Sequence, residues 1–396
     1  MSTEKAKRPT CYAPFFNVYL RASTRKSKVC CLAEEDHYLN SNEMSEVFNN
    51  PTAKAIRETM LEGKWHPACH ECEVKESINE MSDRQVYDKW YKEAVKQKDI
   101  DPNNPLKLEM DEPIWADIRP SNLCNLKCRM CYADNSTEVA REHIDILKDN
   151  KGFITSELLD NNEVLNKLAQ RKHYTLPAFN NIVNIKLLGG EPTLQSEVFD
   201  IIDQLKPNDH RFVIITTNAS SKQQVQTIIP KLKDVAQVMW NISIDGVCDH
   251  YEYVRTPAKW DRFNECVQYL KETKVATHET LIGFNLCVQA WNWESIPLVL
   301  DYIKSLEDKA RTINMVDQKW LGLAVIPLDA RERLLSTLEK KGCRRRETMF
   351  KWCQSIPFQP ELLPKFFQHT AILDKHRGTS FPELNPLLAQ SMLKHL

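Results

Sequence analysis

Several features that mark other classes of protein are missing from this 396-residue sequence. No run of about 18 apolar residues occurs, so no segment has the length and hydropathy of a membrane span. Neither sign of charge is in excess: 53 Lys and Arg stand against 54 Asp and Glu, a net charge of −1 at pH 7. That balance gives no electrostatic basis for a nucleic acid or a membrane as partner. Residues Met1–Thr10 are polar and basic with no apolar stretch, so a secretory signal is not expected and the cytoplasm is. There is no internal repeat and no low-complexity tract. Glycine is scarce, with nine residues in the whole chain. Cysteine is not, with thirteen. An odd number of thiols in a chain without an export signal argues against disulfides and for a metal or iron–sulfur protein.

The cysteines divide the chain. Cys11, Cys30, Cys31, Cys69 and Cys72 lie in the first fifth, Cys124, Cys128 and Cys131 form a triplet, and Cys248, Cys266, Cys287, Cys343 and Cys353 are scattered. The scattered ones read as small buried hydrophobes. An apolar stripe from Ile78 to Val95 predicts a helix, followed by the turn-rich Asp101-Pro102-Asn103-Asn104-Pro105. Beyond it, strand patterns alternate with amphipathic helices. The predicted strands are Ile114–Arg119, Ile182–Leu188, Phe212–Thr217, Val238–Ile244, Leu281–Val288 and Gly322–Ile326. Helical stripes include Leu158/Leu159/Leu165/Leu168, Val198/Ile201/Ile202/Leu205 with Ser196 as N-cap, and Val225/Ile228/Ile229. This alternation predicts an α/β fold, a partial barrel of about six βα units with a parallel sheet. The expected division is 1–77, a Cys-rich α+β module; 78–112, a helical linker; 113–330, the barrel; and 331–396, a helical extension folded back on it. The basic run Arg344-Arg345-Arg346 reads as a solvated face.

The spacing Cys124-x3-Cys128-x2-Cys131 follows directly on the first barrel strand. Three thiolates from one loop can hold three irons of a cubane and leave the fourth open, or three positions of a zinc site with a distant fourth ligand. The next three strands end in polar or glycine signals too: Gly189-Gly190-Glu191-Pro192, then Thr217-Asn218, then Ser243-Ile244-Asp245-Gly246. C-terminal strand ends of barrel-like α/β folds face one common pocket.

Together the triplet, Gly189-Gly190-Glu191-Pro192 and Ser243-Ile244-Asp245-Gly246 resemble the radical S-adenosylmethionine (SAM) superfamily over roughly residues 114–330. The resemblance implies a TIM-like partial barrel and a 4Fe–4S cluster on Cys124, Cys128 and Cys131. It also implies SAM at the unique iron and reductive cleavage to a 5′-deoxyadenosyl radical that abstracts a substrate hydrogen. It places Met130, Tyr132, Gly189, Gly190, Glu191, Thr217, Asn218, Ser243 and Arg255 around the cofactor. Asp245 is a candidate base, with Asp249, His250 and Tyr251 as alternatives.

The N-terminal cysteines resemble the twitch or SPASM auxiliary-cluster module, which implies a second 4Fe–4S cluster on Cys11, Cys30, Cys69 and Cys72, with Cys31 an alternative to Cys30. Here the module precedes the radical domain rather than following it. A structural zinc site on the same thiols is the alternative. His66 and His70 beside the knuckle read as surface or supporting residues. Asn50 and Pro51 predict a capped helix running toward Gly63. The expected partners are a flavodoxin or ferredoxin as electron donor and a peptide, protein or carbohydrate-derived small molecule as substrate, with oxidation or crosslinking the expected outcome. The layout also resembles phage-encoded proteins. A catalytically inactive iron–sulfur protein and a zinc-stabilised scaffold are the competing readings.

Overall fold

A computed structural model describes residues 10–77, 81–150, 162–170, 175–179, 181–205, 211–306, 310–343 and 345–396. Ile78, Leu158, Leu159 and Arg344, named above, lie outside the described residues. Among these residues nine strands form one sheet: β1 (Asn17–Arg21), β2 (Lys26–Lys28), β3 (His37–Tyr38), β4 (Trp115–Arg119), β5 (Asn184–Leu187), β6 (Phe212–Thr217), β7 (Gln237–Ser243), β8 (Glu279–Val288) and β9 (Ala310–Met315), in the order β3-β2-β1-β4-β5-β6-β7-β8-β9. From β4 to β9 all neighbours are parallel, as expected for a βα partial barrel. Among the described residues no helix is long and apolar enough to cross a membrane.

Three features depart from the sequence expectation. Gly322–Ile326 is not a strand; Lys319–Leu321 and Leu323–Val325 are single 3-10 turns, and the sixth barrel strand is β9. The apolar run Leu323-Ala324-Val325-Ile326 is buried in the core, and a short apolar run carries no period that separates a strand from a buried turn. The second departure is β1, which pairs in parallel with β4 and extends the barrel sheet with an N-terminal strand. The helix after β5 also starts one step differently, with Gln195 rather than Ser196 at its N-cap.

Alternation along the strands sorts the two faces. Val18, Leu20, Ala116, Ile118, Ile185, Leu187, Val213 and Ile215 join the helices in the main core. On the inner face, Trp115 and Ile214 pack with Phe15, Phe16, Ile56, Met60 and Tyr87 of the N-terminal segments. Trp90 stacks on Trp115 with ring centroids 4.1 Å apart. The Asp83–Lys96 helix and the Pro51–Leu61 helix thus plug the N-terminal end of the barrel's inner face. As predicted, Asn50 caps the latter helix, its Oδ1 accepting from Ala53 N at 2.9 Å.

Candidate active site

The cysteine loop leaves β4 after Arg119 and is held from three sides. Gly189 and Gly190, at the end of β5, close on it from one. Gly190 N–H donates to Ser121 O at 3.1 Å and Glu191 N–H to Leu123 O at 2.8 Å. A Cβ at Gly190 would lie 2.1 Å from Leu123 O, and one at Gly189, where φ is +116°, would lie 2.6 Å from Ser121 O. Only glycine tolerates that approach, so the scarce residue is spent on seating the cysteine loop against β5.

Glu191 is fully buried and ties β5 to β6. One carboxylate oxygen accepts from Thr193 Oγ1 at 2.7 Å and Thr217 Oγ1 at 2.8 Å, the other from Asn218 N at 2.8 Å. Burial pushes its carboxyl up, against these donors. Asn218 in turn donates to Asn125 Oδ1 at 3.0 Å, inside the cysteine loop. From the second side, Thr256 O and Val254 O accept from Lys127 N and Arg129 N at 2.8 and 2.9 Å.

The third side is the C-terminal extension. Arg129, between Cys128 and Met130, is buried with its guanidinium 3.6 Å from the centre of the Tyr253 ring. It donates to Tyr253 O at 3.0 Å, to Asp374 Oδ1 at 2.5 Å and to Thr379 Oγ1 at 2.7 Å. Arg377 donates to Lys127 O at 2.6 Å and to both oxygens of Glu142. The Leu363–Arg377 helix therefore clamps the loop that carries the triplet.

Cys124, Cys128 and Cys131 are free and half-buried. Burial pushes the Cys124 thiol up to about 12, with Cys128 beside it adding to the shift. Burial raises Cys131 as well, with Cys128 and Cys124 contributing. Leu126 N–H points at Cys124 Sγ at 3.5 Å, a donor suited to a thiolate. Among the described residues no three His, Cys, Asp or Glu side chains are drawn together as around a single ion. A cubane holds its thiolates farther apart than one ion does, and the donor set is all sulfur. The triplet fits such a cluster by its chemistry and its shared loop.

Arg255 and Asp245 are both buried and form an ion pair at 2.6 Å, while Asp245 Oδ1 accepts from Cys287 N at 2.8 Å. Burial opposes the Arg255 charge, but Asp245, then Cys128, outweighs it and holds the guanidinium above its usual value. Arg255 Nε is buried with no hydrogen-bond partner among the described residues, so the guanidinium keeps one donor for an acceptor the chain does not supply. Ser243 ends β7, in register with Asn285 of β8. Met130 packs against the main core, and the Tyr132 hydroxyl bonds Asp317.

In the N-terminal module, Cys69 ends the turn Pro67–Cys69 and Cys72 sits in the first turn of the helix His70–Ser77. Burial raises the Cys11 thiol, with Cys69 and Cys72 among the contributors. Burial raises Cys30 too, and Cys31, Cys11 and Cys69 add to it. Cys31 has different company: burial pushes it up to about 11, and its charged neighbours are Asp117, Lys186, Asp83 and Arg119. Cys30 faces the other module thiols, whereas Cys31 faces the barrel. His66 accepts from Ala68 N at 3.2 Å, capping the turn, and the His70 side chain is exposed. Cys266 is core, Cys248 is exposed, and Cys287, Cys343 and Cys353 are half-buried.

The residues that seat the loop, Asn122, Asn125, Ser136, Gln195, Arg129 and Asp374, carried no prediction. Ser136 had a usable signal, since it caps the Thr137–Asp149 helix; the others act across the fold.

The match to known families is decided over the barrel. Residues 118–303 match the model of the Radical SAM superfamily. The chain carries a radical SAM domain. A radical SAM domain is enzymatic, and its cofactors are a 4Fe–4S cluster and SAM. Among curated relatives, a probable GTP 3′,8-cyclase of Methanococcus maripaludis is 22% identical over 229 residues, covering 56% of this chain and 68% of that one. Another, from Pyrococcus horikoshii, is 28% identical over 157 residues, covering 39% of this chain and 40% of that one. Among solved structures, native anSMEcpe with bound AdoMet aligns at 15% identity with a TM-score of 0.36, over 58% of this chain and 60% of that one. Streptococcus suis SuiB bound to its precursor peptide SuiA aligns at 15% identity with a TM-score of 0.36, over 78% and 65%. The chain thus spans about three fifths of the length of the first of these structures.

Proposed function

We propose that Cys124, Cys128 and Cys131 hold the SAM-binding cluster of a radical SAM enzyme that oxidises or crosslinks a peptide or protein. When bound, the cluster and SAM supply a 5′-deoxyadenosyl radical that takes a hydrogen atom from the substrate. The observation that carries this reading is the seating of the triplet loop: the glycine pair, Asn218 and the C-terminal clamp fix it at the mouth of the parallel sheet. Arg255, with its free Nε, offers a donor for the methionyl carboxylate, and Asp245 orients Arg255 rather than serving as a free base. Thr217, Asn218 and Ser243 border the same mouth. Met130 and Tyr132 flank the third cysteine, where they close the site against water.

Cys11, Cys30, Cys69 and Cys72 hold an auxiliary 4Fe–4S cluster in this proposal, and Cys30 is preferred to Cys31 because its neighbours are the other module thiols. An auxiliary cluster suits electron removal from the substrate, with a flavodoxin or ferredoxin as the external donor to the first cluster. A small-molecule substrate is the second reading, favoured by the relatedness to probable GTP 3′,8-cyclases.

Anaerobically reconstituted protein tests the proposal. About eight irons per chain and reductant-dependent 5′-deoxyadenosine are expected. Replacing Cys124, Cys128 and Cys131 by alanine is expected to remove about four irons and all cofactor cleavage. Iron without 5′-deoxyadenosine would indicate an inactive cluster protein, and zinc without iron a scaffold.

A further inference from the structure

Between the apolar plug and the cysteine loop, the inner face carries a row of polar side chains. Strand register aligns Tyr19 of β1, Asp117 of β4 and Lys186 of β5, with Arg21 and Arg119 as the next inward-facing pair toward the strand ends. One step below lies Trp115 of the plug. One step above, the chain enters the loop that holds the triplet.

The row is under-satisfied. Asp117 is 2% exposed, yet its Oδ1 has no hydrogen-bond partner among the described residues. Its other oxygen lies 3.7 Å from Lys186 Nζ, too far for a hydrogen bond. Arg119 donates through Nη1 to Asn135 Oδ1 at 3.0 Å, but its buried Nε has no partner there either. Arg21, by contrast, is paired with Asp134. Buried polar atoms are nearly always bonded, and a group of exceptions calls for an absent partner. The unmet demand has a definite pattern. Two cationic donors, Lys186 and Arg119, want a negative acceptor, and one carboxylate oxygen of Asp117 wants an adjacent O–H or N–H. Arg21 is set against Asp134 and Lys186 against Asp117, whereas Arg119 has no carboxylate at ion-pair distance among the described residues.

From this we infer that Lys186, Arg119 and Asp117 form the substrate-selecting site, and that the substrate presents an anionic group, carboxylate or phosphate, beside a hydrogen-bond donor. Lys186 and Arg119 bind the anion, and Asp117 accepts the neighbouring O–H or N–H. A neutral group would leave the buried Arg119 Nε without a charged acceptor and would not draw on Lys186, so the site disfavours it. Cys31 faces this row from the N-terminal module, so the module forms one wall of the site. The inference rests on the radical SAM reading above, of which it specifies the substrate class.

Titration calorimetry on the anaerobic, SAM-loaded holoenzyme tests it, with glycerate, glycerol 3-phosphate and glycerol as probes at matched ionic strength. Saturable binding of glycerate or glycerol 3-phosphate is expected, the tighter of the two naming the anion, with no binding of glycerol. Lys186→Met and Arg119→Gln, each checked for full iron content, are expected to weaken the anion by tenfold or more. If neither anion binds better than glycerol, or both folded variants bind as the wild type does, the inference is overturned. Should one variant fail to take up iron, the other and the wild-type comparison decide. Formation of 5′-deoxyadenosine is measured on the same preparation. Its absence refutes the proposed function, whereas its presence without anion binding refutes only the assignment of this row.

Discussion

A methyl group at Gly190 would stand where Leu123 O already is, 2.1 Å away, with Asn122 C at 2.8 Å. These are backbone atoms, which have little room to yield. Gly190→Ala is therefore expected to cost about 3 kcal/mol or more and to reduce iron uptake, read by thermal melting and by iron content. At His369 the expected effect is on pH dependence. Burial, reinforced by His143, Arg129 and Arg377, pushes its imidazole down to about 3. The unfolded histidine titrates near 6.5, so between about 6.5 and 3 the unfolded chain binds a proton that the folded one does not. Stability therefore falls as the pH is lowered across that window, by about 1.4 kcal/mol per pH unit from this group. Urea unfolding at several pH values checks it, and His369→Phe should flatten the slope. Among individual residues, the triplet was legible because its spacing is itself the chemistry. Asn125 and Arg129, in the same loop, were not. Their partners, Asn218 and Asp374, lie far along the chain, and no local pattern encodes such a pairing.

At the scale of elements, the Leu363–Arg377 helix is the piece on which the cysteine loop depends. Arg129 is wholly buried and, among the described residues, its one carboxylate partner is Asp374. Asp374→Asn leaves that guanidinium buried with its charge uncompensated, a change expected to destabilise by about 3 kcal/mol. The measurements are guanidinium unfolding and the lifetime of the cluster absorbance in air, which should shorten. Elements were legible where period and length agreed. Phe212–Thr217 forms as predicted because a continuous β-branched run between turn signals suits a strand covered on both faces. Gly322–Ile326 misled because burial alone gave it a strand's composition, while β9, in Arg311-Thr312-Ile313-Asn314-Met315, alternates polar and apolar residues and looked unlike its neighbours.

For the whole molecule, the N-terminal segments and the barrel are joined by the apolar plug around Trp115 and Ile214, in which Trp90 stacks on Trp115, and by the β1–β4 ladder. Trp90→Ala is expected to cost about 3 kcal/mol and to loosen the module from the barrel, seen as faster hydrogen exchange in residues 11–72 than in the sheet. The sequence sets the module apart from the barrel by its cysteines. It did not reveal that β1 belongs to the barrel's own sheet, because parallel pairing leaves no turn between the partners to announce it.

The same β1–β4 pairing bears on how the chain is made. Asn17–Arg21 leaves the ribosome long before the strand it must lie beside, and the Leu363–Arg377 helix is made long after the cysteine loop it fastens. An early segment has to wait for its neighbour, and a later helix fastens a loop completed well before it. In both places a finished segment waits for chain made later to reach it.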